Sequence, residues 1–259
     1  MQRTVAPAKP KRPLTLRDRF KKAVNWPGKA ATVKLEEVMG RGSLVGDKPI
    51  HDSKDFPWVA ELEKNWQTIR RELESVLPQT GDLPTMQYIS KTQRKIIKTD
   101  GWKTYFFQAY GLRADNNCAR CPETAKLVDA IPNCEIAFFS ILAPGSHISA
   151  HRGVYKGLIR AHLALIVPEP SEKVRMSVGD EMVHWKEGQC VVFDDTYRHE
   201  VWNDTDGVRV VLLIDVHRPL PTGLRKLNEA ILRVAKHMPF VTEPVKKHRE
   251  WEKDFYKSH

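Results

Sequence analysis

A chain of 259 residues with 41% hydrophobic and 29% charged side chains can bury a substantial core, which excludes a disordered polymer and a small disulfide-stapled domain. No apolar window of membrane-spanning length occurs, the first residues lack the apolar core of a secretory leader, and four cysteines are too few for a disulfide framework. A cytoplasmic protein with free thiols is therefore expected. The net charge of +10 is concentrated, because residues 1–34 hold ten basic side chains against Asp18 alone, so that the remainder is close to neutral.

Residues 1–50, rich in Pro, Gly and Lys, read as a basic arm whose order depends on docking. Such an arm attracts anionic surfaces; with Phe20, Val24 and Trp26 beside the positive charge, the expected partner is the inner membrane surface, bound peripherally. Nucleic acid is not expected, since no nucleic-acid motif follows the arm.

From 58 to 77, Leu62, Trp66, Ile69, Leu73 and Val76 step by four and three, which predicts one amphipathic helix packed on something flat. Residues 101–110 read as an aromatic strand and 122–131 as a helix opened by Pro122 and Glu123. Seven short apolar runs then follow, at 134–142, 161–167, 174–178, 181–185, 190–193, 199–203 and 208–216, each bounded by Gly, Pro, Asp or Asn. Gly179-Asp180 and Asp204–Gly207 read as hairpin turns. Many short strands at close spacing predict an antiparallel sandwich or barrel, of which a jelly roll is one solution. After Pro221, Leu224, Leu227, Ile231, Val234 and Met238 recur at helical spacing among basic residues. That helix either closes the outside of the barrel or lies on a membrane. The organisation expected is the arm, a catalytic domain over 51–220 and a helical tail over 221–259.

Histidines carry most of the chemical signal. His147, His151, His162 and His199 all fall in the strand-rich part, and a buried imidazole needs partners for both nitrogens. Taken singly, each is most simply a structural histidine. As a set, two histidines 48 residues apart can meet across a barrel and leave a metal an open face. The usual non-heme iron triad adds a carboxylate two residues after the first histidine, but here that residue is Gly153.

The stretches SILAPGSHISAHRGVYKGLIRAHLALIVP and HWKEGQCVVFDDTYRHEVWNDTDGVRVVLLIDVHRPL resemble the catalytic core of the aspartyl/asparaginyl β-hydroxylases and the related bacterial lipid A acyl-chain hydroxylases. The resemblance is close over about 140–220, and it implies a mainly β fold, a double-stranded β-helix (jelly roll, cupin-like) with flanking α-helices. It further implies Fe(II) held by His151 and His199, with 2-oxoglutarate and O2 as cosubstrates. Gly153 matches the aspartyl branch, which lacks the carboxylate ligand; Asp195 then corresponds to an acid that holds metal-bound water. Arg209 resembles the anchor for the distal carboxylate of 2-oxoglutarate, helped by Ser140, while Arg160 and His162 resemble the pair contacting the carboxylate near the metal. Arg160, His162 and Arg209 each alternate with apolar neighbours, which places them on the opposite face of their strands.

The expected activity is hydroxylation of an unactivated C–H bond, with the β-carbon of an aspartyl or asparaginyl unit in a peptide or amino-acid derivative as the leading substrate. Hydroxylation of a lipid A acyl chain at the membrane surface is the alternative, favoured by the basic arm. A metal-binding, non-catalytic cupin-like module is the alternative from another class, and the anchor-type Arg209 counts against it. Cys118 and Cys121 form a CxxC without a second pair, and are read as free structural thiols.

Overall fold

A computed structural model describes residues 32–90, 95–97 and 99–258. By its contacts the chain falls into two units, residues 1–38 and 39–259. Within the first, residues 32–38 are helical; Phe20, Val24 and Trp26 lie outside the described residues. The second unit begins with β1 (Ile50–His51), the helices α1 (Trp58–Lys64), α2 (Trp66–Val76) and α3 (Met86–Ile89), and the strands β2 (Trp102–Ala109) and β3 (Leu112–Arg113). Two short helices follow, α4 (Asp115–Arg120) and α5 (Pro122–Asp129). An unbroken series of strands then runs through β4 (Cys134–Leu142), β5 (Ser146–His151), β6 (Leu158–Ile166), β7 (Val174–Val178), β8 (Glu181–His184), β9 (Cys190–Phe193), β10 (His199–Asn203) and β11 (Arg209–His217). Helices α6 (Thr222–Ala235) and α7 (Pro239–Ser258) end the chain.

The strands form two antiparallel sheets, one of seven in the order β1-β9-β6-β11-β4-β2-β3 and one of four in the order β5-β10-β7-β8. Successive strands of the β4–β11 series are shared between the sheets, which is the double-stranded β-helix. The long strands β2, β4, β6 and β11 of the large sheet each have two apolar faces. On β11, Val210, Leu212, Ile214 and Val216 join α2, α5 and α7 in one core, whereas Val211 and Leu213 join Met176, Val178 and Val201 of the small sheet in a second. The period of two therefore sends Arg209 and Asp215 into the gap between the sheets, and on β6 it sends Arg160 and His162 there too.

The single helix predicted over 58–77 is two. Asn65 separates α1 from α2, turning its amide back onto the Glu61 carbonyl at 2.8 Å, a local bond that competes with continuation of the helix. The stripe is kept across the break: Leu62, Ile69, Leu73 and Val76 are all buried. Full burial of each is worth about 1.5–3 kcal/mol, and Leu73→Ala, at the centre of that stripe, would cost about 2–5 kcal/mol. Glu72 on the same helix accepts from the Glu123 and Thr124 amides at 2.9 and 2.8 Å, capping α5 and fixing it to α2.

Gly179-Asp180 is a hairpin turn, with Val178 opposite Glu181 and Gly179 at φ +59°. Residues 204–207 are not. They carry the chain from β10 in the small sheet to β11 in the large one, and Asn203 holds the crossing by donating its amide to the carbonyls of Leu142, Ala143 and Gly207. On α6 the predicted apolar stripe does not pack down. The helix buries Asn228 and Leu232, while Leu227, Val234 and then Met238 are exposed.

Candidate active site

β5 and β10 pair in the small sheet with His151 opposite His199, which brings their rings to 4.1 Å between centroids. Each Nδ1 faces the carbonyl two residues earlier in the chain, His151 to Ser149 at 2.9 Å and His199 to Tyr197 at 3.0 Å. A carbonyl only accepts, so both Nδ1 atoms carry the proton and both Nε2 atoms keep a lone pair. Burial lowers the pKa of both rings, and the neighbouring His151 adds to burial in pushing His199 down to about 3. Two neutral imidazoles side by side, each with a free ring nitrogen, form a donor pair for a cation. Among the described residues, no group of three or more His, Cys, Asp or Glu is gathered as a metal site.

Beside this pair, the space in front of Gly153 is taken. A Cβ added there would collide with the carboxylate of Asp195, and the two backbones are tied by Gly153 N donating to Asp195 O at 2.6 Å. Asp195 is half-buried, and desolvation pushes its carboxyl up to about 6 against the pull of Arg160, whose Nη2 lies 3.2 Å away. Arg160, expected to meet the cosubstrate, already has carboxylate partners. Its guanidinium is clamped by Asp215, Nε to Oδ1 at 2.7 Å and Nη2 to Oδ2 at 2.8 Å, leaving it shared between two carboxylates.

Arg209 has no such partner. It is 1% exposed, its Nε and Nη1 are without hydrogen bonds, and its guanidinium lies 4.8 Å over the ring of Trp185. Burial pulls its pKa down to about 9, so the group is still a cation at neutral pH. His162 is likewise buried with both ring nitrogens unpartnered, stacked on Trp185 and edge-on to Phe193, which touches His199 in turn. Ser140, 2% exposed on β4, accepts from Trp102 Nε1 at 3.0 Å and so keeps its own proton to donate. The histidine pair and the arginine are thus joined by a continuous run of rings.

A cavity of about 660 Å³ opens beside this arrangement. One end is formed by His151, Gly153, Arg160 and Asp195, and the rest by mainly apolar residues, among them Met86, Phe106, Phe138 and Leu213 of the body and Ile231, Leu232, Val241 and Val245 of the last two helices.

Three residues with evident roles escaped the sequence reading. Asp215, the clamp on Arg160, was detectable as the one acid inside the apolar run VVLLIDV. Trp185 reads as a core aromatic by composition, yet it floors the arginine. Asp194 reads as a turn residue; it is fully buried, accepting from Thr196 N at 3.0 Å, from Lys156 Nζ at 3.0 Å and from Arg218 Nη2, a network that holds the loop carrying Asp195 and His199. Cys118 and Cys121 are buried free thiols pushed up to about 11 and about 12 by burial, which keeps them unreactive.

The residues present fit a two-histidine iron site with a dicarboxylate cosubstrate. The free Nε2 lone pairs suit a divalent ion, and a buried guanidinium without a counter-ion is tolerable chiefly where an anion joins it.

A family model described as aspartyl/asparaginyl beta-hydroxylase matches residues 63–219. The chain is 46% identical over 213 residues to an ornithine lipid ester-linked acyl 2-hydroxylase of Rhizobium tropici, covering 82% of this chain and 75% of that protein. It is 31% identical over 166 residues to human aspartyl/asparaginyl beta-hydroxylase, covering 62% of this chain but only 21% of that protein, so it spans about a fifth of the human relative's length. A Pseudomonas putida prolyl-4-hydroxylase structure superposes with TM-score 0.38 at 17% identity, over 60% of this chain and 88% of that one, a likeness too loose to bear on chemistry. On the extent of the family match and the identity to these hydroxylases, the chain belongs to the aspartyl/asparaginyl beta-hydroxylase family.

Proposed function

We propose that the protein hydroxylates the acyl chain of a membrane lipid, using Fe(II), 2-oxoglutarate and O2. The observation that carries the substrate is the apolar cavity running from His151 to the last two helices. Its volume lies within the range of roughly 300–1,000 Å³ usual for ligand sites. The likeness to an ornithine lipid acyl 2-hydroxylase supports the same reading.

An aspartyl substrate would bring its own carboxylate into this space and require a cation there. Among the described residues the lining holds two arginines: Arg160 is held by Asp215 and Asp195, and Arg152 donates to Thr196 O at 2.8 Å. A hydrocarbon makes no such demand. The β-carbon of an aspartyl or asparaginyl unit stays as the second reading, favoured by the glycine at position 153.

In this mechanism His151 and His199 would hold the iron through their free Nε2 lone pairs, and Arg209 with the Ser140 hydroxyl would receive the distal carboxylate of 2-oxoglutarate. Bound there, the iron and 2-oxoglutarate supply the oxidising power that places one oxygen atom of O2 on an unactivated C–H, with release of succinate and CO2. Arg209 neutralises the incoming carboxylate without paying to leave water, since its guanidinium is already desolvated. His162, neutral because burial and the nearby arginines push its pKa far down, can donate one hydrogen bond without adding charge. Trp185 and Phe193 would keep water from the anchor, and Asp195 would present its carboxylate beside the histidine pair, where a ligand side chain at position 153 would otherwise project.

The test has two arms. Mass spectrometry of membrane lipids from cells with and without the gene should show a gain of one oxygen on an acyl chain; no such lipid in either would exclude the lipid reading, and hydroxylated aspartyl peptide in vitro would replace it. Succinate release from 2-oxoglutarate should require Fe(II) and vanish in His151→Ala; absence of release from the wild type with every substrate would favour a non-catalytic module.

A further inference from the structure

Helix α6 reverses the usual order of a surface helix. It turns Asn228 inward, 1% exposed, and leaves Leu227 and Val234 outside at 44% and 64%. Asn228 is satisfied where it is, donating to Gly157 O at 2.9 Å and accepting from the Tyr155 hydroxyl at 2.6 Å, so the helix is seated by polar bonds and its apolar strip is left over. Just past the helix, Met238 and Phe240 extend the strip at 45% and 53% exposure. Val234, Met238 and Phe240 also line the cavity, making strip and cavity wall one continuous apolar surface that leads from solvent toward His151. A continuous exposed apolar patch marks a surface that meets another phase or partner.

The charges say which. Lys226 and Arg233, both exposed, each precede an exposed apolar residue by one position, about 100° round the helix, and Glu229 is the sole acid on α6 against Arg225, Lys226 and Arg233. An apolar strip with a cationic flank is the arrangement of a helix lying in the interface of an anionic bilayer. We infer that the strip of Leu227, Val234, Met238 and Phe240 with its basic flank is a docking face for an anionic membrane surface, seating the cavity mouth at headgroup level. This rests on the acyl-chain reading, and it gives that reading a route, because a chain drawn directly from the bilayer is never exposed to water, which would cost free energy for every methylene.

The experiment is co-sedimentation of the full-length protein with phosphatidylcholine vesicles, with and without phosphatidylglycerol. The wild type is expected to pellet with the anionic vesicles in a salt-sensitive manner, Lys226→Glu with Arg233→Glu to lower its vesicle affinity by at least about tenfold, and Leu227→Ser to weaken binding at every lipid composition. Both variants should keep the wild-type melting temperature and the shift produced by 2-oxoglutarate, which separates docking from folding. Unchanged pelleting of both variants overturns the inference, as does a wild-type dimer in solution that Leu227→Ser dissolves. If the substitutions abolish vesicle binding but no lipid is ever hydroxylated, only the acyl-chain reading fails. If lipid in detergent is hydroxylated while vesicle binding ignores the substitutions, only the docking face fails.

Discussion

The carboxylate of Asp195 fills the space into which a side chain at Gly153 would project. It cannot swing aside cheaply, because Arg160 holds it at 3.2 Å and its own backbone carbonyl accepts from Gly153 N. Gly153→Ala should therefore destabilise the protein by about 1–3 kcal/mol through overpacking, read as a fall in the midpoint of chemical denaturation. Removing the obstacle with Asp195→Gly in the same chain should recover most of that loss, so the two substitutions should couple strongly. Gly153→Asp should be worse than alanine, since two carboxylates would then share one buried place.

Arg209 predicts opposite effects on stability and on binding. Arg209→Met removes a buried cation that the described residues do not pair, so the variant should melt no lower than the wild type in the absence of ligand. Adding 2-oxoglutarate at about 100 times its Kd should stabilise the wild type by about 2.7 kcal/mol and leave Arg209→Met unmoved. Thermal melts with and without the diacid check both halves; a variant that melts far below the wild type and still responds to 2-oxoglutarate would remove the anchor role.

Asp215 supports the site through Arg160. Asp215→Asn leaves the half-buried Arg160 guanidinium with Asp195 as its charge partner, and breaking a buried pair from one side costs at most about 3–5 kcal/mol. The loss should appear in denaturation of the protein without metal or cosubstrate, which distinguishes support of the fold from contact with substrate.

His248 on α7 is 3% exposed, with both ring nitrogens unpartnered, and burial pushes it down to about 4. The sign follows from the depressed value: between pH 6.5 and about 4 the unfolded chain binds the proton that the folded chain refuses, so stability from this residue is complete above pH 6.5 and is lost as pH falls. His248→Leu should flatten the decline in melting temperature over that window and raise the melting temperature at neutral pH, because an unsatisfied imidazole is replaced by an apolar group.

Much of the fold was legible because the long strands of the large sheet serve two cores. Val210, Leu212 and Ile214 face the helices while Val211 and Leu213 face the small sheet, so the run reads as strand by composition, and Arg209 reads as a polar exception on a definable face. The histidine pair was legible only jointly with the family likeness, since spacing of 48 residues fixes no contact by itself. Other features depend on bonds that hydropathy does not encode. Asn65 breaks a helix whose apolar stripe runs on regardless, and Asn203 spends its amide on three carbonyls to turn what looks like a hairpin into a crossing between sheets. On α6 the period was legible and the direction was not, because Asn228 found polar partners inside and left Leu227 and Val234 outside.

The imidazoles stand on strands of the small sheet, the guanidinium on a strand of the large one, and the cosubstrate would be grasped from both. On the proposed chemistry, the gap between facing layers, about 10 Å in such sandwiches, would then serve as a gauge for the length of the diacid. Its setting is distributed over the packing of Phe193, Val211, Ala164 and Met176, so no single contact need discriminate a five-carbon acid from its shorter or longer analogues.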